Sequence, residues 1–247
     1  MRLCGFILAA GLGTRIRPLF PDLPKPLVPV GGRPAIAWSI DLLVRAGVSR
    51  IVVNTHHKRE MMRQVLPDLM PPGIELFLSE EESLLGTGGG IAHAQKYFDG
   101  FDWLLIANAD ILSPLSLRSF WKRAVRENSL AHLVLSPDGP ESERGRIGRR
   151  DGGALWLPPA GGGEPPSGVS PGVFVGMHIV RPEVFRGVDS RTAPSVIEIY
   201  RRRLAEGGRL RASFTRSFWV DLGTEDGYRR AAQYLEGGGD RVLREEG

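Results

Sequence analysis

The sequence predicts an α/β fold: a Rossmann-like, doubly wound, mostly parallel sheet with a small substrate-side β insertion. Three observations lead there. Phe6-Ile7-Leu8 is an apolar run of buried-strand type that breaks at once into Gly11 and Gly13. Between Phe6 and Asn54 a strand, a helix and a second strand follow one another, and a βαβ unit of that length implies a parallel pair joined by a right-handed crossover. Further apolar strands then alternate with helix-periodic segments, and one of them, Phe101 to Asp110, ends in a carboxylate.

The first strand hands over to a glycine-rich, basic loop. Glycines let backbone N–H groups from Gly11 to Thr14 approach an anion with no Cβ in the way, and Arg15 and Arg17 bring fixed positive charge to the same place. Lys25, held between Pro24 and Pro26, delivers another cation from a stiff backbone. Two common glycine signatures fail here. A dinucleotide fingerprint needs a third glycine where Ile16 stands, and a Walker A loop needs a Lys-Ser/Thr pair that is missing after Gly11.

Gly31-Gly32-Arg33-Pro34 reads as a turn, and Pro34 opens a helix with Ile36, Ile40, Leu43 and Val44 at helical spacing. Gly47 ends it, Arg50 to Asn54 is the next buried strand, residues 58–70 are a second helix, and Ile74 to Leu78 a third strand. His56 and His57 have no carboxylate or cysteine at ligand spacing, so they read as a loop or cap pair and not a metal site. Gly88-Gly89-Gly90 would weaken a helix interior, and they are expected to let something flat or bulky lie against the backbone. Asp110, at the C-terminal end of a parallel strand, falls in the crevice where open α/β sheets bind ligands, and Mg²⁺ carried by a triphosphate is a suitable partner for its charge.

A helix at 116–128 and a strand from Ala131 to Leu135 come next. Residues 137–168 change composition: they carry Arg144, Arg146, Arg149 and Arg150, turn at Asp151-Gly152-Gly153, and read as a substrate-side insertion or loop instead of core. Gly172 to Val180 is a strand, residues 194–206 a helix whose Arg201, Arg202 and Arg203 form a solvated face, and Ser217 to Asp221 an aromatic-rich strand before a helix through Leu235. One domain spans 1–236, with a flexible tail at 237–247.

Composition sets bounds. The 247 residues are 42% hydrophobic and 24% charged, which is ordinary for a globular chain. A net charge of +4 is too small to argue for nucleic acid, and small anions such as nucleoside triphosphates fit it as well. The one cysteine, Cys4, allows no internal disulfide and sits in an apolar strand, which points to a reducing, cytoplasmic setting. No segment approaches the roughly 20 apolar residues of a membrane span.

Leu8-Ala9-Ala10-Gly11-Leu12-Gly13-Thr14-Arg15-Ile16-Arg17-Pro18-Leu19 with Pro24-Lys25-Pro26-Leu27-Val28-Pro29-Val30 resembles the entry motif of the sugar-1-phosphate nucleotidylyltransferases, or NDP-sugar pyrophosphorylases. Phe20 replaces the family's usual threonine. Gly86-Thr87-Gly88-Gly89 resembles the family's base-binding loop, Asn108-Ala109-Asp110 its N-x-D segment, Gly176 the glycine against the sugar phosphate, and Trp219-Val220-Asp221-Leu222-Gly223-Thr224 its W-x-D-x-G-T motif. The likeness runs from the first strand to Tyr234. The family's V-E-K-P segment is absent, so the lysine that holds the sugar phosphate is unassigned and a loop arginine could replace it.

The resemblance implies that Leu8, Ala9, Ala10, Gly11, Gly13, Thr14, Arg15, Lys25, Thr87, Gly88 and Asn108 contact the nucleotide, with Arg15 and Lys25 catalytic. It implies that Asp110 and Asp221 bind Mg²⁺ and that Gly176 meets the sugar phosphate. A sugar 1-phosphate would attack the α-phosphorus of a nucleoside triphosphate, already an anion and needing no general base. UTP with N-acetylmuramate 1-phosphate and GTP with mannose or heptose 1-phosphate are the expected pairs. A phosphocholine cytidylyltransferase, or a catalytically silent nucleotide-sensing subunit of the same fold, are the alternatives. Silent subunits of this kind typically lack one of the charged groups, whereas Arg15, Lys25, Asp110 and Asp221 are all present.

Overall fold

The computed structural model describes residues 1–139, 147–159, 161–192 and 195–239. In chain order the elements are β1 (Leu3–Leu8), β2 (Pro29–Val30), β3 (Arg33–Pro34), α1 (Ala35–Ala46), β4 (Arg50–Thr55), α2 (Arg59–Val65), β5 (Glu75–Glu80) and α3 (Gly86–His93). They continue as β6 (Trp103–Asn108), β7 (Ile111–Leu112), α4 (Leu117–Arg126), β8 (Ala131–Ser136), β9 (Ile147–Arg150), β10 (Leu155–Trp156) and β11 (Val169–Val180). The last are α5 (Val196–Ala205), β12 (Leu210–Phe214), β13 (Val220–Asp221) and α6 (Glu225–Tyr234).

Four strands, β5-β4-β1-β6, form the parallel half of the sheet. Antiparallel β11 lies next to β6, and β8, parallel to β12, flanks β11 on its other side. From β1 the chain winds one way through β4 and β5 and then crosses to β6 on the opposite side. The reversal between β1 and β6 is a topological switch point, and it opens a crevice at the carboxyl ends of those strands.

The alternation of a strand explains why both faces of the sheet are covered. Phe6 packs with Ile106, Ile91 and Tyr200 in one core cluster, while its neighbour Ile7 packs with Ile36, Leu43 and Leu105 in another. A third cluster joins Trp38, Leu112, Val220, Leu222 and Ala231, and it fixes α6 and the short β7 and β13 strands onto α1. Cys4 is buried in β1, and that burial pushes its thiol up to about 12. Among the described residues no helix is long and apolar enough to cross a membrane.

Several details depart from the sequence reading. The helix expected over 58–70 stops at Val65 and continues only as a 3-10 turn from Pro67 to Leu69, because Pro67 lacks an N–H and crowds the preceding turn. β12 was not anticipated. The hairpin at Asp151-Gly152-Gly153 is present, but β9 extends the sheet along β11, and Ile147, Leu155 and Leu157 join a core cluster. That stretch is thus partly core and not purely a substrate-side loop. Arg144 and Arg146, and residues 240–247 of the expected tail, lie outside the described residues.

Candidate functional site

The first cavity, about 280 Å³, sits over the switch point. Leu8, Ala9, Ala10 and Gly11 enter its wall from the end of β1, Asn108 and Asp110 from the end of β6, Thr87 from α3, and Lys25 from the loop between. Its floor is a buried polar network. The Asn54 side-chain oxygen accepts from the Ala9 N–H at 2.6 Å, and its amide nitrogen donates to Glu81 Oε1 at 2.7 Å. The other Glu81 oxygen accepts from the Leu85 N–H at 3.1 Å. The Gly90 Cα faces this network: a Cβ there would lie 2.6 Å from Glu81 Oε1 and 2.7 Å from Asn54 Nδ2. The third glycine of the run therefore makes room for a carboxylate of the protein itself, not for a flat ligand.

At the edge of this cavity four charged side chains meet. The Lys25 ammonium contacts Asp110 Oδ2 and lies 3.5 Å from Asp221 Oδ1, and Arg15 reaches Asp221 Oδ2 at 3.7 Å. A small strand pair accounts for the convergence. β13 runs antiparallel to β7, with Asp221 opposite Ile111, and the Leu222 N–H donates to the Asp110 carbonyl at 2.8 Å. The Gly223 N–H then donates to Asp221 Oδ1 at 2.6 Å, fixing that carboxylate's orientation. Burial holds the Lys25 ammonium below the ordinary lysine range, with Asp221 pulling the other way.

The glycine loop is fastened where it must hold this lysine. Gly13 has φ +62°, and a Cβ there would come 2.8 Å from Lys25 Cβ, so the left-handed glycine lets the loop lie on the lysine stem. Phe20 packs on Tyr228 of α6 with ring centroids 5.3 Å apart, and the Tyr228 hydroxyl donates to the Pro29 carbonyl at 2.9 Å. The residue that departs from the family motif thus ties the loop to the helix following Asp221.

A second cavity, about 790 Å³, opens on the other side of Asn108, which lines both. Arg15, Asp221 and Gly176 line it, with Phe174, Phe218 and Trp219 as apolar wall and Asp138, Asp226, Arg216 and Arg230 as charged wall. Gly176 has φ +74° where the pairing of β11 shifts register, and a Cβ there would lie 2.6 Å from Asn108 Nδ2. Thr224 caps α6 at this cavity, its hydroxyl accepting from the Gly227 N–H at 3.1 Å.

Most of the residues singled out from sequence therefore assemble at one double cavity. Gly13, Thr14 and Gly88 line neither part; Gly13 supports Lys25 and Gly88 is buried within α3. Thr87 lines the first cavity, but its hydroxyl accepts from the Val196 N–H at 3.0 Å and so also joins α3 to α5. Sequence reasoning missed Asn54 and Glu81, and it missed Asp138, Arg216 and Arg230. Asn54 carried the same signal as Asp110, a polar residue at the carboxyl end of a parallel strand.

Fold and site together put the chain among α/β proteins that bind ligands at the switch point of a doubly wound sheet. The particular family follows from comparison: residues 4–237 match the nucleotidyl transferase model, and the chain belongs to that family. An N-acetylmuramate alpha-1-phosphate uridylyltransferase of Neisseria meningitidis serogroup B is 31% identical over 221 residues, covering 88% of this chain and 92% of that protein. A protein of the same description from Caulobacter vibrioides is 32% identical over 235 residues, covering 88% and 90%. The mannose-1-phosphate guanylyltransferase catalytic subunit beta of Danio rerio is 28% identical, over 88% of this chain and 60% of the fish protein. The inositol-1-phosphate CTP transferase of T. maritima shares the fold, with TM-score 0.75 at 19% identity over 96% of this chain and 97% of that one.

Proposed function

We propose that the chain transfers a nucleoside monophosphate from a nucleoside triphosphate to a sugar 1-phosphate, with release of pyrophosphate. The observation that carries this reading is the meeting of Lys25 with both Asp110 and Asp221 at the border of two cavities. The first cavity takes the nucleotide and the second the sugar 1-phosphate. The named relatives, an N-acetylmuramate 1-phosphate uridylyltransferase and a mannose-1-phosphate guanylyltransferase, support the same reaction class.

Asp110 and Asp221 are hard oxygen donors aimed at one cationic position, a donor set that fits Mg²⁺ completed by phosphate oxygens and water. Bound there, the metal supplies neutralisation of charge on the reacting phosphates. The chain's own groups do the rest. The backbone after β1 cradles the triphosphate, Lys25 lies along its α-phosphate, and Arg15 steadies the departing pyrophosphate. An oxygen of the sugar phosphate forms the new bond to the α-phosphorus as the bond to the bridging β-phosphate oxygen breaks. The attacking group is already an anion, so positioning and charge neutralisation suffice.

A matrix of the four nucleoside triphosphates against N-acetylmuramate, mannose and heptose 1-phosphates and phosphocholine, read by pyrophosphate release, tests this. Pyrophosphate should form with Mg²⁺ and both substrates, and Asp110→Asn should lower the rate by at least about 10²-fold while the protein stays folded. A wild-type rate in that variant, or no release from any pair, would refute the proposal.

A further inference from the structure

We infer that Arg216 and Arg230 fit the second cavity to an acidic acceptor, a sugar 1-phosphate that carries a carboxylate in addition to its phosphate. This rests on the transferase reading, in which that cavity receives the acceptor.

Both arginines line the cavity, Arg216 from the segment before β13 and Arg230 from α6. Neither makes an ion pair or hydrogen bond among the described residues. Helix α6 provides its own comparison. Arg229 pairs with Glu225 one turn earlier at 2.5 Å, the usual outcome at that spacing. Arg230 has Asp226 at the same spacing and makes no pair with it, although both line the cavity. Arg15, by contrast, is engaged with Asp221.

The phosphate of the acceptor must approach the α-phosphorus, so it finds its cations at Lys25 and the two-carboxylate site. Arg216 and Arg230 are then two further guanidinium forks, whose planar donors match a carboxylate in bidentate fashion. Asp138 and Asp226 in the same wall can only accept, which suits sugar hydroxyls. Phe218 adds an aromatic residue to the same wall, its ring held by stacking on Tyr234 with centroids 3.9 Å apart and rings 3° from parallel. A neutral sugar would use the acceptors and the aromatic wall and leave both arginines to water.

The test is calorimetric titration with N-acetylmuramate 1-phosphate and with its methyl ester, which removes the carboxylate charge and adds only one methyl group. Wild type should bind the acid at least tenfold more tightly than the ester. Arg216→Met and Arg230→Met should each reduce that preference at least threefold, and the double variant should abolish it. Equal binding of acid and ester by wild type, binding of neither, or a preference that survives the double variant would overturn the inference. The titration needs no turnover, so a failure of the transferase reading is seen separately, as absent pyrophosphate release. The wild-type comparison of acid with ester stands even where a variant does not fold.

Discussion

At the scale of single residues, the site depends on glycines and an asparagine as much as on its charges. A Cβ on residue 223 would run into the Lys25 ammonium and lie 2.7 Å from Asp221 Oδ1. Gly223→Ala should therefore push the lysine off the carboxylates and lower pyrophosphate release at least about tenfold, since a misplacement near 1 Å is enough for such losses. An unchanged rate would show that Lys25 has slack at this point. Asn54 is equally exposed to test, because one side chain satisfies both the Ala9 N–H and Glu81. Asn54→Ala leaves a buried donor and a buried carboxylate short of a partner, and urea unfolding should show a loss of about 2–4 kcal/mol. A loss under about 1 kcal/mol would mean that the floor network is not needed to hold the fold.

At the scale of elements, two buried histidines stitch neighbouring elements together. His178 on β11 shares a 2.7 Å hydrogen bond with Tyr200 on α5, and His132 on β8 shares one of 2.8 Å with Ser213 on β12. Burial pushes His178 down to about 3 and His132 to about 4 from the ordinary 6.5. The unfolded chain therefore binds protons below pH 6.5 that the folded chain refuses, so this stability is complete above 6.5 and falls as pH drops beneath it. Each histidine contributes up to about 1.4 kcal/mol per pH unit in that window. The urea midpoint should fall between pH 6.5 and 5, and fall less steeply in a His178→Leu/Tyr200→Phe variant. A midpoint flat over that range would contradict the burial of these rings as neutral groups.

The same elements show where sequence patterns carry and where they fail. β1, α1 and β4 were legible because an apolar strand, a 3.6-residue stripe ending at Gly47 and a second apolar run leave little choice. β12 was not, since Leu210, Ala212 and Phe214 alternate over only five residues interrupted by Arg211 and Ser213. β9 was misread as outside the core because its Ile147 sits among arginines and glycines, and its burial is decided by pairing with distant β11.

At the scale of the whole molecule, Arg15, Lys25, Asp110 and Asp221 were legible as a set, and the fold brings them together through loops and the β7–β13 pair. The floor network and the arginines of the second cavity were not legible. Asn54 and Glu81 come from the ends of separate strands, and Arg216 and Arg230 lie on either side of Asp221. Each of those relations is created only when the sheet closes around the switch point.

The central claim is that Asp110 and Asp221 act as one cation site completed by a nucleotide. Mn²⁺ binding, followed by electron paramagnetic resonance in the presence of non-hydrolysable UTP or GTP analogues, measures this directly. Asp110→Asn and Asp221→Asn should each weaken nucleotide-dependent Mn²⁺ binding at least about tenfold, and the double variant should lose little more than either alone, as expected for residues acting as a unit. Wild-type binding in either single variant, or losses that simply add, would contradict a shared site.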